Sequence, residues 1–479
     1  MTRARALTAL ILLVALALRL WGLGRWSFDG DELYSWFSVQ RLLTGDEWRS
    51  GTQSFPLGYL LMAGSAWLLG ASEWSLRLLP ALFSWGSVAA LLLMRRDVGC
   101  RGDRWLAAGV AALSPWMLFH AQSARFYGLL VGLVTVALLW SLPGSGRRPR
   151  RAWGALLLAT LCHPSAALLV PALALGNAGR PALLRRVGLL ALATLGLAAA
   201  LVFSEGSSPH QVLDRLMSGA DPGRYDLAHF LLGLAYNFGP LLGLLALAGS
   251  WGLLRSSLPE RRVLLLAGLV PPAVLLLASL AGLSVHQRYA LVAVPGLLLL
   301  ATHGFRGLPS RALRGVVLAG LVLIPAPRLL AHLNDGSRHD TRAVAQFLAQ
   351  NADPDDALVL EQHAMIELYL HEMPRFADSF TSEAPVAPRR QHDLARQLRE
   401  SWLALKASHR QRPEEEAWHA WVDQVYTEVA RVGRPPWPLV RHDNQYVIYR
   451  RTRRLPPSKF RTPTSGLQQG TTPDPMSER

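Results

Sequence analysis

Long apolar runs alternate with short polar segments through the first two thirds of the chain. The first run, ILLVALALRLWGLG, follows the basic cluster MTRAR, and comparable runs recur as far as about residue 331. A membrane-spanning helix needs roughly 20 largely apolar residues. The pattern therefore predicts a polytopic α-helical membrane protein, with residues 1–331 as its transmembrane domain.

Arginine-rich loops predict the direction of each span, because such loops stay on the cytoplasmic side. With RRDVGCRGDR, PGSGRRPRR, RPALLRR, RSSLPERR and RGLPSRALR inside, the chain crosses the membrane about eleven times. The run FPLGYLLMAGSAWLLG contains Gly and Pro between polar residues, which favours an interfacial helix over a span. The first outer loop then covers about residues 24–76.

The pattern changes after residue 331. The stretch HDTRAVAQFLAQNADPDDALVLEQHAMIELYLH predicts a helix, a turn, a short strand and a second helix, and QYVIYRR predicts another strand. Because the last predicted span runs outward, residues 332–453 are expected to form a small extracytoplasmic α/β domain. The Pro-, Ser- and Thr-rich residues 454–479 are typical of a disordered tail.

Composition excludes a soluble globular protein, since 51% of the 479 residues are hydrophobic and the mean hydropathy is +0.21. The formal net charge of +16 comes mainly from arginines in loops and in the last fifth of the chain, so we expect no nucleic-acid partner. Cys100 and Cys162 lie in different settings, a basic loop and an apolar run, and indicate no disulfide framework, metal site or redox role.

The first outer loop contains the sequence FDGDELYSW, in which a stretch of four residues carries three carboxylates: Asp29, Asp31 and Glu32. One interpretation is structural, because acids solvate a helix end or cap the next helix. A second is a site for a divalent cation such as Mg²⁺ or Mn²⁺, which would be a possible cofactor. A third is general base catalysis, in which a carboxylate takes a proton from an acceptor hydroxyl or amine.

Cationic side chains are predicted on the same side of the membrane as these acids. They are Arg125 in ARFYG, Arg288 in HQRYA and His163 at a proline break. For each arginine alone, the simpler interpretation is a side chain that extends to the lipid headgroup layer. For His163 alone, it is an interior histidine whose hydrogen bonds are satisfied. Their coincidence with the acids at the outer ends of helices favours a cavity for an anionic ligand, because guanidinium groups suit phosphate.

The order of these features resembles the GT-C superfamily of membrane-embedded glycosyltransferases, in the branch of dolichyl-phosphate-mannose protein mannosyltransferases and bacterial aminoarabinose transferases. The matching segments are DELYSW, FPLGYLLMAGSAWLLGASEWSLRLLPAL, HAQSARFYGLL, LCHPSAALL and HQRYALVAVPGLLLL. The resemblance implies inverting transfer of a sugar from a polyprenyl-phosphate donor to an acceptor glycan, lipid or protein. It also implies that the reaction takes place at the outer face of the bacterial inner membrane, among membrane lipids.

The resemblance also assigns roles to single residues. Asp31, with Glu32 beside it, matches the acidic residue of the family's first outer loop, and Asp29 is an additional acid that leaves the choice of base open. The residues expected at the donor phosphate are Arg125, Tyr127, His163, Arg288 and Tyr289.

Two other classes of function remain as alternatives. A transporter or flippase for lipid-linked sugars would use the same arginines to hold a phosphate, but transporters commonly show internal repeats and polar residues at mid-membrane depth. This sequence has its polar residues on one side and no visible repeat. A non-catalytic assembly subunit would tolerate alanine throughout the acidic loop.

Overall fold

The computed structural model describes residues 3–45, 55–94, 103–142, 149–175, 191–197, 199–200, 227–258, 260–281, 283, 285–353, 356–361, 363–371, 373, 395, 401–408, 416–434 and 444–451. The chain forms two compact units, and within the described residues the division lies between Arg338 and His339. The sequence places this division after residue 331, inside a helix that continues to Asp335. The tail predicted at 454–479 lies outside the described residues.

The first unit is built from helices over its described length. The α-helices are Arg3–Leu20 (α1), Gly30–Thr44 (α2), Pro56–Leu69 (α3), Glu73–Leu93 (α4), Asp103–Leu113, Pro115–Ala121, Tyr127–Ser141, Pro149–Cys162, Val170–Leu175, Leu227–Phe238, Pro240–Leu254, Arg261–Leu280, Val294–Arg306, Arg311–Leu323 and Ala326–Asp335. Shorter 3₁₀ helices occupy Pro164–Leu169 and Gln287–Ala293.

Several helical segments among the described residues could cross a membrane. Four are long and apolar enough by themselves: Glu73–Leu93, Arg261–Leu280, Gln287–Arg306 and Arg311–Asp335. A fifth would be the pair Phe230–Phe238 and Pro240–Leu254, bent by 92°. The chain is thus a polytopic helical membrane protein, as the hydrophobic pattern predicts, while the number eleven stays a prediction.

Helices of the first unit approach each other closely where glycines face a neighbouring backbone. A Cβ at Gly249 would overlap the carbonyl oxygen of Leu300, and one at Gly304 would overlap that of Leu245. These residues join the helices Pro240–Leu254 and Val294–Arg306. Small residues favour such contacts in a membrane, where helix association depends on van der Waals packing.

A buried arginine fixes the end of α1, from which the acidic loop begins. The fully buried Arg19 donates to Ser84 Oγ on α4 at 3.0 Å. It also donates to the carbonyl oxygens of Ala111 at 3.1 Å and Ala112 at 3.5 Å. The last carbonyls of a helix lack partners within it, so Arg19 caps the helix Asp103–Leu113 and ties three helices together.

The second unit is a mixed α/β arrangement. Its strands are Ala357–Leu360 (β1), Ser401–Lys406 (β2), Tyr426–Val432 (β3) and Tyr446–Arg451 (β4), and its helices are Thr341–Asn351, His363–His371 and Glu416–Val425. The order is β1-β2-β4-β3, with β1 parallel to β2 and the other two pairs antiparallel. Trp418 and Val422 pack with sheet residues in one apolar core.

Candidate functional site

The acidic loop leads into α2 through a capping box. Asp29 Oδ1 accepts a hydrogen bond from the Glu32 N–H at 2.9 Å, and Glu32 Oε2 accepts one from the Asp29 N–H at 3.0 Å. A capping box satisfies two backbone donors at a helix start. Asp29 and Glu32 therefore both have a structural role at the beginning of α2.

Glu32 is fully buried and its carboxylate is surrounded by donors. Arg77 donates to it through Nε and Nη2, both at 2.7 Å, and Arg338 donates through Nε at 3.1 Å. The Ala124 N–H donates at 2.6 Å. Burial would raise the pKa of Glu32, but the charges of Arg338 and Arg77 outweigh it and lower the pKa to about 2. Both oxygens of this ionised group are already engaged.

Asp29 interacts only weakly with Arg338, one of the two arginines that bind Glu32. Its side chain is 28% exposed, and Oδ2 lies 3.7 Å from Arg338 Nε. Burial and the nearby charge of Glu32 raise the pKa of Asp29 to about 6, with Arg338 offsetting part of the effect.

Asp31 differs from both neighbours in exposure and in partner. Its side chain is 43% exposed and forms an ion pair with Arg288. Burial raises the pKa of Asp31, but the charges of Arg288 and Arg125 outweigh that effect, so the pKa lies below its ordinary value. Asp31 is therefore ionised at neutral pH and accessible to a second molecule.

Arg125 and Arg288 both contact Asp31. Arg125 Nη1 donates to the Asp31 carbonyl oxygen at 3.1 Å, to Ser35 Oγ at 3.2 Å and to Tyr59 Oη at 3.3 Å. Within the part of the chain that the structure describes, the Nε atoms of both arginines are buried and have no hydrogen-bond partner. A buried donor without a partner costs free energy, so an anionic ligand whose oxygens reached these atoms would be stabilised.

The other three residues expected at the donor phosphate are connected to the two arginines through contacts between rings. Arg288 lies over the ring of Tyr127, 5.6 Å from its centroid. The ring of His163 lies 5.6 Å from Tyr127 and 5.2 Å from Tyr289, and it stacks on Phe55 at 5.3 Å. The five residues expected at the donor phosphate thus form one connected cluster with Asp31.

The acids do not converge on a common point as metal ligands would. Among the described residues, no group of three or more His, Cys, Asp or Glu side chains is arranged to hold a metal ion. Glu32 has both oxygens on arginines and backbone N–H groups, and Asp29 serves the helix cap. A divalent cation therefore does not fit these three side chains.

Sequence reasoning missed the two cations that hold Glu32. Arg77 interrupts the apolar run LRLLPALF, and an ionisable residue inside such a run is itself a signal of a buried partner. Arg338 carries no local signal, because its contact with Glu32 joins residues 306 positions apart.

Comparison with known proteins gives structural relatives only. No family model and no curated protein matches the sequence. The structure of ArnT from Cupriavidus metallidurans in the apo state matches with a TM-score of 0.56 at 16% identity, covering 94% of this chain and 98% of that chain. The structure of ArnT bound to undecaprenyl phosphate matches with a TM-score of 0.52 at 17% identity, covering 92% and 97%.

A second structural relative is archaeal. The Archaeoglobus fulgidus oligosaccharyltransferase in the apo form matches with a TM-score of 0.53 at 14% identity, covering 81% of this chain and 61% of that chain. At identities this low, the likeness to both proteins establishes a shared fold.

Proposed function

We propose that this chain, which has the GT-C-like fold of membrane glycosyltransferases, transfers a sugar from a polyprenyl-phosphate-linked donor to an acceptor. The observation that carries the proposal is the accessible, ionised Asp31 beside two arginines whose buried Nε atoms lack partners among the described residues. The ArnT structure with undecaprenyl phosphate supports a lipid phosphate as the ligand for such a fold.

The donor phosphate is held by Arg125 and Arg288. Their guanidinium groups donate to phosphate oxygens, and Tyr127, His163 and Tyr289 line the same cluster. Negative charge grows on the phosphate as it leaves the sugar. Fixed cations in a water-poor site stabilise that charge in the transition state.

Asp31 acts as the general base. It takes the proton from an acceptor hydroxyl or amine, whose oxygen or nitrogen then attacks the anomeric carbon opposite the phosphate. The new bond forms as the bond between carbon and phosphate oxygen breaks, and the electron pair leaves with the phosphate, so the configuration inverts. Donor phosphate competes with Asp31 for Arg288 and thereby frees the base, which favours donor binding before acceptor binding.

The reaction takes place on the outer face of a bacterial inner membrane. The positions of the arginine-rich loops support this side for the loop at 24–76 and for the second unit. The acceptor is a glycan, lipid or protein that reaches Asp31 from that side.

A donor panel tests the proposal. Membranes containing the native chain, Arg288→Gln or Arg288→Lys are given radiolabelled polyprenyl-phosphate sugars, and transfer to acceptor is counted. We expect transfer from one donor, a loss of about 10²–10³-fold in Arg288→Gln, and a smaller loss in Arg288→Lys, which keeps the charge.

The control is Arg328→Gln, which removes an arginine that contacts Tyr236 and Asn237 instead. Full transfer by Arg288→Gln would contradict the assignment. Movement of labelled lipid across liposomes without acceptor modification would indicate a transporter instead.

A further inference from the structure

Arg338 is a buried arginine at the end of the first unit, and its guanidinium is engaged on every nitrogen. Nε donates to Glu32 Oε2 at 3.1 Å, and Nη1 donates to the Gly336 carbonyl oxygen at 2.8 Å. Nη2 donates to the Gln122 carbonyl oxygen and to Ser123 Oγ, both at 3.1 Å. Its side chain is 1% exposed, so it is closed to a ligand.

These contacts join two segments that carry the proposed chemistry. Glu32 is the residue after Asp31 in the first turn of α2. Gln122 and Ser123 belong to the short connection at 122–126 that contains Arg125, and the intervening Ala124 donates its N–H to Glu32 at 2.6 Å. Arg338 and Glu32 together therefore fix the backbone of the Arg125 segment against the start of α2.

The segment that precedes Arg338 is itself held in place. His332 shares a hydrogen bond with Gln122 Oε1 at 2.6 Å and another with Ser337 Oγ at 3.1 Å. Gly336 and Ser337 both have positive φ, 69° and 56°, and Ser337 is the one non-glycine residue with positive φ among those the structure describes. A left-handed serine is costly unless its surroundings enforce it, and here it turns the chain so that Arg338 enters the core.

We propose that Arg338 is a positioning residue, which sets the distance between the Asp31 base and the Arg125 guanidinium without contacting substrate. The proposal rests on the proposed function for its catalytic consequence. Its structural consequence, order in residues 29–36 and 122–126, holds whatever the reaction is.

The test compares the native chain, Arg338→Met and Arg338→Lys in two measurements. Steady-state transfer should show kcat reduced about 10- to 100-fold in Arg338→Met with little change in the donor KM, because misplaced groups impair the chemical step. Amide hydrogen exchange should be faster in peptides covering 29–36 and 122–126 and unchanged in the helix Arg261–Leu280. For Arg338→Lys, both kcat and the exchange rates should lie between those of the native chain and of Arg338→Met, since one ammonium cannot reproduce the guanidinium fork.

Arg328→Met is the matched control, because Arg328 also bridges helices but contacts neither segment. Native kcat in Arg338→Met, or unchanged exchange in both segments, would overturn the proposal. If Arg338→Met does not fold, a fully native Arg338→Lys would overturn it. Absence of transfer by the native chain with all donors would refute the proposed function, and the exchange measurement alone would then decide the role of Arg338.

Discussion

At the residue scale, Asp31 and Glu32 are adjacent in the chain but have opposite surroundings. Consecutive residues of a helix point about 100° apart, so the first turn of α2 directs Glu32 into the core and leaves Asp31 at its edge. Glu32 is fully buried between Arg77 and Arg338, whereas the side chain of Asp31 is 43% exposed beside Arg288. The proposed function accordingly gives Glu32 a structural role and Asp31 the chemical one.

Glu32→Gln should lower stability more than any other single change in the loop. It leaves Arg77 and Arg338 buried without a counter-charge, and breaking a buried ion pair by removing one partner costs about 3–5 kcal/mol. Chemical unfolding of detergent-solubilised protein measures the difference. Asp31→Asn is the control and should stay within about 1 kcal/mol of the native chain, as expected for a partly exposed ion pair. Equal stability of Glu32→Gln and the native chain would contradict this role.

Asp29 should make stability depend on pH between about 4 and 6. Its pKa is raised to about 6 in the folded protein, so its contribution to stability is complete below the ordinary carboxyl pKa and is lost as the pH rises through 6. Glu32 has a lowered pKa and loses its contribution only as the pH falls towards 2. The melting temperature of Asp29→Asn should therefore rise relative to the native chain from pH 4 to 6 and change little above that range. Parallel melting curves at all pH values would contradict the assignment.

The candidate site was predictable from the sequence as a set of residues, but its pairing was not. Asp31, Arg125 and Arg288 stand out because charge at the edge of an apolar run is expensive and local in sequence. Arg77 and Arg338, the partners of Glu32, lie 45 and 306 positions away from it in the sequence. No local pattern encodes such distances.

At the element scale, the apolar helices were predictable because their length and hydropathy are local properties. Strand β2 was not, since all six residues of SWLALK are buried and the alternation that marks a half-buried strand is absent. The start of strand β3 was not predictable either, because Tyr426 directly follows a helix that ends at Val425 and no turn residue separates the two elements.

Glycine contacts give a test of helix packing. Gly304→Ala should destabilise the pair Pro240–Leu254 and Val294–Arg306 by about 1–3 kcal/mol, because the added methyl group overlaps a backbone carbonyl. Gly252→Ala on the first of these helices is the control, since a Cβ there meets nothing within 4 Å. Thermal unfolding of both variants measures the effect, and equal melting temperatures would show that the helices do not approach so closely.

At the scale of the whole molecule, the topology is a prediction from the distribution of arginine. In a chain with Cys100 and Cys162 replaced, Thr44→Cys in the first outer loop should react with a membrane-impermeant thiol reagent on spheroplasts. Pro309→Cys in the loop RGLPSRALR should react only after the membrane is permeabilised. The reverse labelling pattern would invert the orientation and place the acids in the cytoplasm.

The most direct test of the account is sugar transfer by Asp31→Asn, measured with the donor that the native chain uses. A general base contributes about 10²–10⁴-fold to rate, so Asp31→Asn should lose that much transfer while its melting temperature stays near the native value. Asp29→Asn, which retains a side chain able to cap α2, should retain far more transfer. Transfer at the native rate by folded Asp31→Asn would contradict the central claim that this carboxylate activates the acceptor.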